Sequence, residues 1–128
     1  MPASEANKGK EAEREVARAL RRRGWRAITS RDARGGAQGG ADLITDFPLS
    51  IEVKNRKALD LSGWWAQAQD QAGGDPAVVI HKRRGKARAE DWWVLMDLST
   101  LLDLVGAPEG LEHVDLEKLE ELLKAREE

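Results

Sequence analysis

The chain has no cysteine, no tyrosine, one phenylalanine and two histidines among 128 residues. Without thiols there is no disulfide framework, no thiolate zinc site and no cysteine nucleophile, so any metal must be held by carboxylates, histidine or carbonyl oxygens. No apolar run approaches the roughly 18 residues of a membrane span, and the charged N-terminal stretch lacks the apolar core of a signal peptide. The expectation is a cytoplasmic, intracellular protein with no membrane partner. With 41% hydrophobic and 34% charged residues the chain is too apolar to be disordered. Its length suits one domain that buries about two-thirds of its unfolded surface.

A formal charge of -2 conceals a segregated field. Residues 1–57 carry 13 basic and 8 acidic side chains, residues 58–90 carry 5 and 4, and residues 91–128 carry 3 and 11. The expected organisation is a single domain over 1–128, with a basic body at 1–90 and a last strand plus acidic helical segment at 91–128. Such an asymmetry suits a polyanion-facing surface backed by an acidic one, or simply two solvated faces.

The order of elements reads as mixed helix and sheet. Ala12, Val16, Ala19 and Leu20 recur at helical spacing between Glu5 and Arg23, with Gly24 as the stop. Trp25–Thr29 reads as a strand and Arg31–Gly40, with four glycines, as a mobile loop. Ala41–Thr45 and Leu49–Lys54 read as two strands of a hairpin turning at Asp46, Phe47 and Pro48. Ser62 is the expected cap of a helix ending at Gly73 and Gly74. Ala77–Lys82 and Trp92–Met96 read as strands around a basic loop, and Leu98–Val105 and Leu116–Arg126 as closing helices.

The expected hairpin sets Thr45 opposite Leu49, Leu43 opposite Ile51 and Asp42 opposite Glu52. Alternation then gives Leu43, Leu49, Ile51 and Val53 one face, and Asp42, Ser50, Glu52 and Lys54 the other. Opposed residues have Cβ atoms roughly 4.5–5.5 Å apart, where like charges repel. A hard divalent cation such as Mg²⁺, which prefers carboxylate oxygens, would offset that repulsion. Lys54, two residues from Glu52 and on its face, is the other source of compensation, as an ordinary ion partner on an exposed sheet. On the first helix Glu13 falls on the inward stripe, whereas Glu11 and Glu15 fall outside it. An inward carboxylate needs either a cation or a nearby arginine.

The run Lys8-Gly9-x-x-x-Glu13-Arg14-Glu15-Val16, then Arg31, then Gly40-Ala41-Asp42-Leu43-Ile44, then Ile51-Glu52-Val53-Lys54, resembles the PD-(D/E)xK nuclease superfamily. Within it, the run looks like the archaeal-type Holliday junction resolvases and their phage relatives. Gly40 and Ala41 stand where the motif name has proline. The resemblance implies an α/β, single-domain restriction-endonuclease-like fold with a central mixed β-sheet flanked by helices. It implies a metal site of Glu13, Asp42 and Glu52 with the Val53 carbonyl, and Lys54 as the catalytic lysine. Arg14 and Arg31 then engage the substrate backbone, joined at the DNA by Lys8 and Arg34.

The implied activity is Mg²⁺-dependent hydrolysis of DNA phosphodiesters, with Mn²⁺ able to substitute. The implied substrate is branched double-stranded DNA, a four-way junction resolved by paired symmetric nicks. The chemistry agrees: a cation polarises the phosphoryl oxygen, and Lys54 stabilises charge developing in the transition state. Two symmetry-related cuts by a domain with room for one site imply a homodimer. Other readings are a different PD-(D/E)xK nuclease, acting as nickase, flap or duplex endonuclease, and a catalytically silent DNA-binding module.

Lys82, Arg83, Arg84 and Lys86, with Arg88 beyond, crowd one loop suited to phosphate contacts. Gln67 or Gln71 is expected to support the site. The four tryptophans at 64, 65, 92 and 93 read as core or subunit-contact residues, and His81 and His113 as non-ligands. Lys8-Gly9-Lys10 lacks the frame of a phosphate loop, so no nucleotide cofactor is expected.

Overall fold

A computed structural model of the chain describes residues 5–34, 41–107 and 116–127. The chain divides into two compact units, Met1–Asp97 and Leu98–Glu128.

In the first unit, helix α1 (Glu5–Arg22) buries Ala12, Val16 and Ala17. It stops where Gly24 takes φ 97°, and the Gly24 and Trp25 amides return to the carbonyls of Arg21 and Leu20 at 3.1 and 3.0 Å. That pattern satisfies the last carbonyls of the helix and releases the chain into a strand. Glu15, expected outside the inward stripe, is only 12% exposed at its side chain. It accepts the Ala89 amide at 2.8 Å and is paired with Arg18 and Arg22, so several donors offset its burial.

Strand β1 (Ala27–Thr29) leads directly into a short helix, α2 (Ser30–Arg34). This corrects the expected loop at its first half. The Asp32 amide donates to Thr29 Oγ1 at 3.0 Å, a helix cap whose Thr-x-x-Asp signature outweighs the glycines that follow. Residues 35–40 of that expected loop lie outside the described residues.

Strands β2 (Leu43–Thr45) and β3 (Ser50–Lys54) follow, but they do not form the expected hairpin ladder. β2 pairs antiparallel with β1, Ile28 opposite Ile44. β3 pairs parallel with β4 (Ala77–His81), and β4 antiparallel with β5 (Trp93–Leu95). The mixed sheet has the order β3-β4-β5. β3 buries Ile51, Glu52 and Val53 in succession, and a strand covered on both faces is satisfied by a parallel crossover partner, not by a short hairpin turn. Residues 46–49 bend, the Phe47 amide bonding to Thr45 Oγ1 at 3.0 Å.

Helix α3 (Leu61–Ala72) is the crossover. Asp60, not Ser62, caps it: the Gly63 amide donates to Asp60 Oδ1 at 3.1 Å, and the carboxylate fills the space a Cβ on Gly63 would need. Gly73 closes the helix at φ 60°. One core lies between α1 and the sheet, around Val16, Leu43, Leu49, Ile51 and Val53. A second lies under α3, around Trp64, Ala68 and Val79. This is the expected α/β arrangement of a mixed sheet flanked by helices.

The second unit contains α4 (Leu98–Val105) and α5 (Leu116–Glu127), at the positions the sequence predicts. His113 lies outside the described residues. No helix among the described residues is long and apolar enough to cross a membrane.

Candidate active site

β3 supplies the centre of the site. Alternation along the strand turns Glu52 and Lys54 to the α3 face while Ile51 and Val53 anchor the α1 core. Glu52 is 5% exposed, and its Oε1 lies 3.5 Å from Lys54 Nζ. Lys54 Nζ in turn donates to Gln67 Oε1 of α3 at 2.6 Å. Of the two glutamines expected to support the site, Gln67 makes the contact with Lys54.

Asp42 precedes β2 and bridges the two sheets. Its amide donates to the Ile51 carbonyl at 3.2 Å and its carbonyl accepts from Ser30 at 2.8 Å. Its Oδ2 accepts the Val53 amide at 2.7 Å. These three bonds bring Asp42 to Glu52 without the hairpin. The two carboxyl groups are near enough that the charge of Asp42 acts on Glu52. Burial raises Asp42 above its ordinary range against the opposing pull of the Val53 amide. Burial first, and the Asp42 charge second, push the Glu52 carboxyl up to about 7.

Glu13 points inward as expected, at 4% exposure. Its Oε2 accepts from Arg31 Nε at 2.9 Å. Burial raises it first, then the Asp42 charge, and Arg31 opposes both. Gly9, one turn before Glu13, lies beside the Arg31 guanidinium, whose Nη2 would stand in ordinary van der Waals contact, 3.7 Å, with a Cβ at this position. The Gly of the Lys-Gly-x-x-x-Glu run thus sits under the arginine that holds Glu13. Among the described residues no group of three or more histidine, aspartate or glutamate side chains is arranged to hold a metal ion. The close carboxyl pair is Asp42 and Glu52, with Glu13 beside it on Arg31.

Arg14 grips Asp32 through two bonds, of 2.6 and 3.0 Å, and holds that carboxyl down at about 2. Lys8 is half-buried, and its carbonyl accepts from Asn55 Nδ2 at 3.4 Å, which ties the start of α1 to the end of β3. The Arg34 side chain lies outside the described residues. The Lys82 amide donates to the Lys54 carbonyl at 2.9 Å, so the basic loop leaves the sheet at the end where Lys54 stands. Lys82 lies over Trp92 and Arg83 over Trp93, 5.8 and 4.1 Å from the ring centroids. Arg84 and Lys86 belong to the same turn, in which Gly85 takes φ 78°. Trp64 and Trp92 are core residues as expected, but Trp93 is 59% exposed. Asp32 and Asn55 were not singled out by sequence. The Thr29-x-x-Asp32 cap was the signal for the first, and nothing local marks the second.

Residues 4–120 match the model of a family described as "Phage putative PDDEXK endonuclease". No curated protein matches the chain. Among solved structures the chain is similar to Hjc of Archaeoglobus fulgidus, a Holliday junction resolvase from an archaeal hyperthermophile. The identity is 26%, over 66% of this chain and 72% of that one, with a TM-score of 0.46. With the family match running over most of its length, the chain belongs to the phage PDDEXK endonucleases.

Proposed function

We propose that the protein is a Mg²⁺-dependent, structure-selective DNA endonuclease that resolves four-way junctions, with Asp42, Glu52 and Lys54 as its catalytic residues. The observation that carries this reading is the placement of half-buried Asp42, held by the Val53 amide, and buried Glu52 together beside Lys54 of β3. Two neighbouring carboxyl groups whose charged forms are disfavoured by burial are a donor set suited to a hard divalent cation. Asp42 and Glu52 would hold it, with the Val53 carbonyl as a further donor and Glu13 joining them on release from Arg31. When bound, the ion would polarise a phosphoryl oxygen and lower the pKa of the attacking water.

The chain's own residues do the rest. The Val53 amide fixes Asp42, so its carboxylate is oriented before substrate arrives. Gln67 holds the Lys54 ammonium toward Glu52, where its charge meets the charge developing on the phosphate. Arg31, 40% exposed at its side chain while bonded to Glu13, retains surface with which to approach a phosphate. Lys82, Arg84 and Lys86 extend that basic surface, which positions DNA without reading its sequence.

The junction preference rests on the residue order of the nuclease motif. Two symmetric nicks need two such sites, and a homodimer supplies them. Residues 1–128 are read as one nuclease domain, since the family match crosses both units. Labelled four-way junction and linear duplex of matched sequence test this, with Lys54→Ala as control. Paired symmetric nicks in the junction alone are expected. Equal cutting of both substrates would remove the junction preference, and binding with no cutting would identify a silent DNA-binding module.

A further inference from the structure

We propose that Trp93, with the Arg83 guanidinium laid on it, is a stacking platform for one unpaired nucleobase of a branched DNA. This rests on the reading of the chain as a DNA nuclease and adds to it a second contact beside the cut phosphate.

The placement follows from register. Lys54 pairs with His81, and His81 pairs with Trp93. Directly paired residues on neighbouring strands project to one face, so the three side chains form a row at one level of the sheet. Two strand spacings separate the ends, which puts Trp93 about 10 Å from Lys54. That is the axial rise of roughly three base pairs, so Trp93 lies within a few nucleotides' reach of a phosphate held at Lys54. His81, in the middle of the row, is occupied: its Nε2 meets the Arg56 carbonyl at 3.0 Å and its ring packs 5.0 Å from Trp64.

Exposure separates Trp93 from its neighbour. Trp92 is buried, and its indole N–H donates to the Lys86 carbonyl at 2.7 Å, which pins the basic turn to the core. Trp93 is 59% exposed and contributes nothing to either core. Arg83 Nη1 is fixed on the Asp91 carbonyl at 2.9 Å, so the guanidinium is held while it lies 4.1 Å from the ring centroid. An indole extended by a planar cation is the surface on which unstacked bases settle. Around it Arg84 and Lys86 have no ion pair among the described residues, whereas Arg88 is tied to Glu90 at 3.2 Å. The surroundings are therefore basic and fit a polyanion. Bases inside a duplex have both faces covered, so the platform selects DNA that offers an unpaired base at a branch.

The test uses the full chain and a four-way junction carrying 2-aminopurine in an unpaired position at the branch, beside a linear duplex of the same sequence, in buffer without Mg²⁺. Wild type is expected to quench the 2-aminopurine on binding. Trp93→Ala is expected to abolish the quenching and to lower the junction-over-duplex affinity ratio roughly five- to a hundredfold, with Trp93→Phe restoring most of both. An unchanged ratio with quenching retained in Trp93→Ala overturns the proposal. So does a wild-type protein that binds no branched DNA, or a Trp93→Ala protein that changes its assembly in sedimentation while keeping the ratio, which would assign Trp93 to a contact between copies. Binding is read without cutting, so a wild type that binds and still does not cut once Mg²⁺ is added overturns the nuclease reading alone and leaves the Trp93 ratio to decide this one.

Discussion

The Val53 amide donates to Asp42 Oδ2 at 2.7 Å, and this one bond fastens the acid before β2 to the strand that carries Glu52 and Lys54. Its donor lies inside the catalytic strand, so Asp42 is placed by backbone and not by a neighbouring side chain. Asp42→Asn keeps an acceptor for that amide but loses the charge. It is expected to melt near wild type and to cut at least about 10²-fold more slowly, measured in single-turnover assays.

Gln67 touches Lys54 at 2.6 Å from another element. Gln67→Ala leaves the lysine in place with Glu52 as its remaining partner. A loss of about 10- to 100-fold in cleavage rate is expected, smaller than that of Lys54→Ala, with DNA affinity unchanged. Equal losses in the two variants would show that Gln67 does more than orient the ammonium.

Buried acids give the cation-free protein an inverted pH response. Glu52 has an ordinary value of 4.5 and a folded value of about 7, so between these limits the folded state binds more protons than the unfolded. Stability then falls as pH rises through that window. Glu13 and Asp42 are raised too and act in the same sense. Asp32 and Glu90, depressed to about 2 by Arg14 and Arg22, add stability that is lost only in stronger acid. In EDTA the melting temperature should be higher at pH 5.5 than at pH 8 by about 5 °C or more. Glu52→Gln should flatten the slope, and Mg²⁺ should raise the melting temperature at pH 8 in wild type only.

Arg14 is engaged by Asp32 at the surface, an arrangement that competes with phosphate. If Arg14 serves the DNA backbone, Asp32→Ala releases it. The variant should bind DNA more tightly, and the slope of log affinity against log salt should steepen by about one. Titrations at several salt concentrations check this, and an unchanged slope would leave Arg14 as a structural partner of Asp32.

Much of this was legible in the sequence because it depends on local periodicity. The inward stripe found Glu13, the Gly24 stop found the end of α1, and the apolar face Leu43, Leu49, Ile51 and Val53 is buried as read. What escaped depends on competition between distant partners. β2 turns to β1, and β3 to β4, because the Val78–Ile80 run offers β3 a parallel partner that a sum of local residue numbers cannot reveal. The proximity of Asp42 and Glu52 survived that error, since the Asp42 amide still reaches Ile51. Asp60 displaced Ser62 as a cap because Gly63 has no Cβ to obstruct it. Exposure of Trp93 beside buried Trp92 follows from adjacent residues projecting to opposite faces at the sheet edge, and which face is covered there is a fact of topology invisible in the dipeptide.

The most direct measurement is single-turnover cleavage of one labelled four-way junction by wild type and Glu52→Gln, with Mg²⁺ and with EDTA. The account predicts symmetric nicks from wild type with Mg²⁺ alone, and none from Glu52→Gln in either buffer despite intact junction binding. Cutting by wild type in EDTA, or by Glu52→Gln at the wild-type rate, would contradict it.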